Sequence, residues 1–230
     1  MAFIEIKKVT KNYPIGGNFF TALHEVSLEF NKGEFTGIIG PSGSGKTTLL
    51  NIIGALDVPS FGSATVLDCK IETLSHMESA KLRNQHMGFI FQTYNLLPVY
   101  TVYENVEFPL LLQNFSDNQR RDKVLSALNH VGILDKKDSR PFQLSGGEAQ
   151  RTAIARAIVK KPKLILADEP TANLDMDNSY NILDIMRKLN QELDTTFIFA
   201  THDEKVIKYL SRKVHLLDGR VSDDEQVVSS

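Results

Sequence analysis

The chain begins with apolar and polar positions in alternation. Ile4 and Ile6 fall on one face and Glu5 and Lys7 on the other, which predicts an antiparallel strand over residues 3–10. Val26, Leu28 and Phe30 repeat the pattern against Ser27, Glu29 and Asn31, and Pro14-Ile15-Gly16-Gly17-Asn18 between the two runs is turn chemistry. Later runs are continuously apolar and read as buried strands: Ile38-Ile39, Met87-Gly88-Phe89-Ile90-Phe91, Leu164-Ile165-Leu166-Ala167 and Thr196-Phe197-Ile198-Phe199-Ala200-Thr201. Helical spacing marks Leu49, Leu50, Ile52 and Ile53, which stop at Gly54, and Ile182, Leu183, Ile185, Met186 and Leu189 within residues 177–193. Residues 93–140 predict helices joined by loops, with no buried strand. In that stretch Ser116 and Gln119 have capping-box spacing ahead of Val124, Leu125, Leu128 and Val131. Lys213 to Val221 predicts a hairpin turned at Asp218-Gly219, and the polar tail to Ser230 is expected to fray.

Composition narrows the class. At 230 residues the chain can bury the core of one compact α/β domain, and no Pro/Gly/Ser-rich linker divides it. A formal charge of −2 argues against a polyanion-binding surface, so nucleic acid is not an expected partner. Cys69 is the only cysteine, so no internal disulfide and no Cys-x-x-Cys pair can form, which suits a reducing compartment. The six histidines are scattered without metal-ligand spacing, so a zinc site is not expected. The N-terminus lacks the basic stretch and apolar core of a signal peptide. Every apolar run is far shorter than the ~20 residues that span a bilayer. Work at a membrane would therefore need a membrane segment from another chain.

The chemistry concentrates first between Ile39 and Leu49. Gly40-Pro41-Ser42-Gly43-Ser44-Gly45-Lys46-Thr47 fits the phosphate-loop pattern G-x-x-x-x-G-K-[ST] in full, between a buried strand and a helix as that motif requires. Glycines let consecutive N–H groups turn around a phosphate, and the helix beginning near Lys46 adds its unpaired N–H groups, including those near Thr48. Lys46 can reach the β- and γ-phosphates, and the Thr47 hydroxyl can ligate Mg²⁺. A nucleoside triphosphate is expected here.

Three strand ends carry further candidates. Leu164–Ala167 delivers Asp168 and Glu169; in phosphoryl transfer one such acid holds Mg²⁺ and a neighbouring carboxylate polarises the attacking water. Thr201 is followed by His202, which can hydrogen-bond a γ-phosphate oxygen or that water. Gln92 follows the strand that ends at Phe91 and can touch Mg²⁺ or the water, although a surface glutamine opening a loop has the same look. Tyr13, just before the first turn, can stack on an adenine ring or simply pack. Ser145 and Glu148 have capping-box spacing before a helix carrying Ala153, Ile154, Ala157 and Ile158. Gly146 and Gly147 in its first turn cost helix stability at ~1 kcal/mol each and leave the helix end bare for an anion.

Taken in order, these features resemble the nucleotide-binding subunit of an ABC transporter over nearly the whole chain, most diagnostically at Leu144-Ser145-Gly146-Gly147-Glu148-Ala149-Gln150. The resemblance implies a phosphate-loop ATPase core with a mainly parallel sheet, an N-terminal antiparallel β subdomain and a helical insertion near residues 93–158. It implies ATP and Mg²⁺ as ligands, with Tyr13 stacking adenine, Gln92 as the loop glutamine, Asp168 holding the metal, Glu169 as general base and His202 as the switch histidine. Asn173-Leu174-Asp175 then matches the loop that crosses to a partner subunit, and Ser145 to Gly147 face the nucleotide of a second copy. An integral membrane permease subunit is the other implied partner, placing the chain at the cytoplasmic face of the cell membrane.

A narrower resemblance, to the lipoprotein-release and macrolide-export group, rests on Leu49–Gly54, Met87–Gln92 with Asn95–Pro98, and Thr101–Leu110. The chain departs from that group at Glu148-Ala149, where two glutamines are common. Export of lipoprotein, peptide or drug is the implied work. The alternative is an ATPase that drives a membrane partner mechanically without moving a substrate. A GTPase is disfavoured because no Asn-Lys-x-Asp motif occurs; Asn31-Lys32-Gly33-Glu34 has the wrong final residue. A soluble ABC-type ATPase of DNA repair or translation would need a coiled-coil insertion or a second cassette. The region from Gln92 to Tyr103, which carries Tyr94, Leu96, Leu97, Pro98, Val99 and Tyr100, is expected either to dock a membrane subunit or to pack inward.

Overall fold

A computed structural model of the chain describes residues 2–227. Strands β1 (Ile4–Ile15) and β2 (Asn18–Phe30) form a long antiparallel pair turned at Gly16-Gly17. They run further than their alternating cores, because residues 11–15 pair with residues 18–23 right up to the turn. The phosphate-loop strand β3 (Phe35–Ile39) is followed by α1 (Lys46–Ile53). Next come β4 (Phe61–Val66) and β5 (Cys69–Lys70), which join the free edge of β1 to make a four-stranded sheet in the order β2-β1-β4-β5. Apolar periodicity assigns no element there; pairing with Ile4–Lys7 creates the strand.

Helix α2 (His76–His86) leads into β6 (Met87–Ile90). Helices α3 (Val102–Glu107), α4 (Asp117–His130) and α5 (Gly146–Ile158) follow, and no strand occurs between β6 and β7 (Leu164–Asp168). The chain closes with α6 (Met176–Leu193), β8 (Thr196–Thr201), α7 (Glu204–Ile207), β9 (Arg212–Leu217) and β10 (Arg220–Gln226). Capping boxes start α4 at Ser116 and α5 at Ser145, as read from spacing. The same signature at Ser75-Glu78 and Thr101-Glu104 starts α2 and α3. On α4 the inward face is Val124, Ala127 and Leu128, with Leu125 only half-buried.

The larger sheet has six strands in the order β10-β9-β3-β8-β7-β6, and all but β10 run parallel. Side chains leave it alternately, so Phe35, Phe197 and Phe199 pack toward α5 and α6, while Ile38, Ile198 and Ala200 pack toward α1 and the small sheet. Burial on both faces explains why these strands read as continuous apolar runs.

The expectation of a fraying tail is corrected for residues 222–226. They pair with β9 as far as Gln226, because nearly buried Arg212 takes Asp224 at 2.7 Å and Glu34 at 3.1 Å. A buried guanidinium left without carboxylates would cost several kcal/mol, on the order of 3–5, so the acidic segment is held in the sheet. The remaining tail, residues 228–230, lies outside the described residues, as does Met1.

Parallel pairing brings the carboxyl ends of β3, β8, β7 and β6 to one edge. Ile39 sits opposite Thr201, Asp168 opposite Ala200, and Ile90 opposite Ala167. Ligand-contacting groups collect at such an edge.

Candidate functional site

The phosphate loop is forced by close approach. A Cβ on Gly40 would lie 2.1 Å from the Leu216 carbonyl oxygen, and one on Gly45, at φ +101°, would lie 2.6 Å from that of Ala22. Only glycine fits both places. Lys46 is buried, and its Nζ donates to the carbonyls of Gly40 at 2.7 Å and Pro41 at 2.8 Å, with no carboxylate within 4.0 Å among the described residues. Among the described residues no backbone carbonyl accepts from the N–H groups of Gly45, Lys46, Thr47 or Thr48. The buried Ser44 hydroxyl has no partner either. An uncompensated cation, a ring of free donors and an orphaned hydroxyl fit a polyanion of phosphate type.

From α1, the Thr47 hydroxyl reaches across to Asp168 at the end of β7, donating to Oδ2 at 3.0 Å and Oδ1 at 3.3 Å. Burial pushes the Asp168 carboxyl up; the Thr47 hydroxyl and Lys46 oppose this and Glu169 adds to it. A hydroxyl and a partly desolvated carboxylate on adjoining elements are hard oxygen donors of the type Mg²⁺ takes. Gln92 is not drawn into this pair. Its carbonyl accepts from Asn173 Nδ2 at 2.8 Å, and among the described residues no hydrogen bond joins it to Thr47 or Asp168.

Glu169 adopts φ +45°, donates its N–H to the Ala200 carbonyl and is followed by Pro170. Its carboxylate then lies against the end of β8, where Thr201 Oγ1 donates to Oε2 at 2.9 Å and His202 Nδ1 meets Oε1 at 2.5 Å. Thr201 was not a sequence candidate, although it immediately precedes His202. Glu169 is largely covered and His202 open to solvent, so the imidazole can reach outward while the carboxylate stays oriented.

Tyr13, Phe20, Ala22, Gly43, Gly45, Lys46, Thr47 and Thr48 line an open pocket of about 220 Å³. Tyr13 and Phe20 are cross-strand partners in β1 and β2. The Tyr13 hydroxyl donates to Asp57 at 2.8 Å, a contact that no local pattern announces.

No hydrogen bond joins Ser145, Gly146 or Gly147 to the phosphate loop among the described residues. The Ser145 hydroxyl caps α5 by accepting from the Glu148 N–H at 3.3 Å. Gly147 also has a steric reason to be glycine, because a Cβ there would come within 2.6 Å of Asn178 Oδ1. Asn178 cannot easily yield, being tied to Asp175 through Nδ2 at 2.6 Å. At Gly146 the nearest atom would be the Tyr94 hydroxyl at 3.2 Å. Gly147→Ala should therefore cost ~1–2 kcal/mol despite the better helix propensity of alanine, and Gly146→Ala should stay within ~0.5 kcal/mol of wild type. Urea unfolding of the two variants checks the contrast, and equal midpoints would contradict it.

Residues 23–172 match the family described as ABC transporter. The macrolide export ATP-binding/permease protein MacB of Burkholderia pseudomallei is 43% identical over 221 residues, which is 96% of this chain and 34% of that protein. The chain therefore spans about a third of that relative's length. The ABC transporter ATP-binding protein MJ0796 of Methanocaldococcus jannaschii is 42% identical over 228 residues, 97% of each chain. The lipoprotein-releasing system ATP-binding protein LolD of Pseudoalteromonas translucida is 42% identical over 219 residues, 95% of this chain and 94% of the relative. The solved dimeric structure of MJ0796 superposes with a TM-score of 0.91, covering 99% of this chain and 100% of that one at 41% identity. With the strand, phosphate loop, two-acid strand end and histidine all in place, this chain belongs to the ABC transporter family as one of its ATP-binding ATPase domains.

Proposed function

We propose that this chain is the ATP-hydrolysing subunit of a membrane exporter, acting on lipoprotein, peptide or drug-like cargo. The observation that carries the hydrolysis is the meeting of Thr47, Asp168, Glu169 and His202 at the carboxyl edge of the parallel strands, and the export reading is supported by the likeness to MacB and LolD. In this reading the free N–H groups from Gly45 to Thr48 cradle the phosphates, and Lys46 exchanges its two carbonyl acceptors for phosphate oxygens. Thr47 and Asp168 would hold Mg²⁺, which neutralises phosphate charge when bound. Glu169 accepts a proton from the attacking water, while Thr201 and His202 fix its carboxylate. Gln92, its backbone carbonyl held by Asn173, would contact the attacking water. Tyr13 stacks the base.

Two partners belong to the proposal. One is a second copy, whose Ser145–Gly147 helix start faces the triphosphate held by the first, with Asn173–Asp175 at the junction. The other is an integral membrane permease at the cytoplasmic face of the membrane. No described helix is long and apolar enough to cross a membrane, so this chain would bind peripherally through that subunit. The helices within residues 93–158 act as an inserted unit that carries the docking surface.

Its outer part is Pro98, Val99 and Tyr100 with Phe108, whereas Tyr94, Leu96 and Leu97 turn partly inward. Beside them Arg156 donates to the Asn95 and Tyr94 carbonyls, Lys160 to that of Arg83, and Arg83 to that of Ala55. None of the three cations has a carboxylate within 4.0 Å among the described residues. That excess of positive charge under an apolar rim favours a partner segment carrying acid.

Burial, with Arg83 adding, lowers Lys160 to about 8. The folded state therefore binds fewer protons than the unfolded chain between about pH 8 and pH 10.5, and stability rises through that window. Lys160→Met should be more stable than wild type at pH 7 by roughly 1–2 kcal/mol, with the gap closing toward pH 10. Denaturant unfolding at both pH values checks this, and a gap that does not shrink would refute it.

The proposed function itself is tested by isolating the chain from its own membranes in mild detergent and identifying the membrane protein retained with it. Reconstituting the pair should change ATP turnover and move a solute. Retention of no membrane protein refutes the reading. ATP-driven movement without solute flux replaces export by mechanical signalling.

A further inference from the structure

Tyr13 sits in a polar arrangement more elaborate than a strand-end tyrosine needs. Its hydroxyl donates to Asp57 Oδ2 at 2.8 Å. The other carboxylate oxygen of Asp57 accepts from Lys11 Nζ at 2.5 Å and from the Val58 N–H at 2.7 Å. Lys11 is buried, its ammonium also bonds the Val58 carbonyl at 2.9 Å, and it lies 5.0 Å from the centre of the Tyr13 ring. One carboxylate thus fixes both the hydroxyl end of the ring and the cation over one of its faces. The same ring lines the open pocket beside Gly45 to Thr48, where a ligand can reach it.

The anchor is equally specific. Asp57 and Leu56 donate their N–H groups to the Asn51 carbonyl, which ties the carboxylate to the C-terminal end of α1. The same eight-residue helix opens at Lys46 on the phosphate loop. Asn51 lies five residues along that helix from Lys46, so at 1.5 Å per residue about 7.5 Å of helix links the phosphate cradle to the support of the Tyr13 ring. Burial opposes ionisation of Asp57, but the hydrogen bonds from Lys11 and Tyr13 outweigh it and hold the carboxyl below its usual range. A buried ammonium facing a carboxylate is costly to break by removing one member.

We propose that Lys11 and Asp57 are positioning residues for nucleotide binding, a clamp that sets the Tyr13 ring at the angle and distance from the phosphate loop at which a purine stacks. The inference rests on the reading of Tyr13 as the base-stacking residue.

The test compares ATP with inorganic tripolyphosphate, which presents the phosphates without a base, in equilibrium binding to the purified chain. Asp57→Ala should weaken ATP about fivefold to tenfold, the loss of one charge-assisted hydrogen bond, and leave tripolyphosphate within about twofold. Asp57→Asn, which keeps the shape, should fall between. It serves as the informative variant if the alanine protein does not fold, as judged by thermal unfolding. Tyr13→Ala should show the same ATP-selective loss, and adding Asp57→Ala to it should cost nothing more. Equal weakening of ATP and tripolyphosphate, no effect at Asp57, or a further loss in the double variant overturns the clamp. If Tyr13→Ala leaves the ratio of the two ligands unchanged, the stacking reading itself fails, and the clamp falls with it. If Tyr13→Ala changes the ratio and Asp57→Asn and Asp57→Ala do not, only the clamp fails.

Discussion

Glu169→Gln is expected to bind ATP within about twofold of wild type and to turn it over ~10²–10⁴ times more slowly, the span that a positioned general base contributes. The substitution isolates proton acceptance because the local geometry can survive it. The amide oxygen can still accept from Thr201 Oγ1, and the amide nitrogen can face His202 Nδ1, the two contacts that hold the carboxylate in the native chain. What disappears is the negative charge and the basicity. A rate loss of this size corresponds to roughly 3–5 kcal/mol of barrier, far above the cost of one neutral hydrogen bond. Steady-state hydrolysis with nucleotide affinity measured in parallel separates the two effects. Turnover close to wild type would remove Glu169 from the role of base, and a collapse of affinity would mean that the variant damages the cradle instead.

The second large effect concerns two dead proteins that should revive one another. Lys46→Ala removes the cation of the phosphate loop, and Ser145→Arg places a bulky charge on the exposed start of α5. Each alone should lose nearly all ATPase activity. No hydrogen bond joins the two places within one chain among the described residues, while a triphosphate needs only one cradle, so the second helix start is free to serve a site on another copy. In a mixed dimer one site carries both lesions and the other has an intact Lys46 from one chain and an intact Ser145 from its mate. Random mixing makes about half the dimers mixed, so about one quarter of wild-type sites should return. If each chain used its own Ser145, every site would carry one lesion. Mixed dimers shown by two affinity tags, yet still inactive, would then defeat the shared-site reading.

The glycines of α5 show how two explanations can share one residue. Local energetics alone make Gly146-Gly147 an unfavourable helix start, and an anion-facing end is one reason to keep it. The packing of Asn178 over Gly147 is another, and it acts within the subunit. The stability contrast between alanine at the two positions separates them, since an anion contact leaves the unfolding of the nucleotide-free chain unchanged.

What the sequence by itself determined was governed by neighbours in the chain, although the capping boxes at Ser75-Glu78 and Thr101-Glu104 were local too and went unread. The phosphate loop is legible because Gly40 to Thr47 must bend within a few residues. The acid pair and His202 are legible because continuous apolar runs end just before them, and the starts of α4 and α5 because a capping box spans only four positions. Tertiary structure decided the rest. Phe61–Val66 became a strand by pairing with β1 and β5, and residues 222–226 stayed in the sheet because Arg212 needed Asp224. The Tyr13 hydroxyl found Asp57 at a separation of 44 residues, and Thr47 met Asp168 at 121. Asn173 met the backbone carbonyl of Gln92 at a separation of 81 residues. Backbone propensity and capping act over one or two turns of chain and leave a pattern there. A hydrogen bond or a strand pair between distant segments leaves none, because its energy depends only on where the fold has brought the two groups.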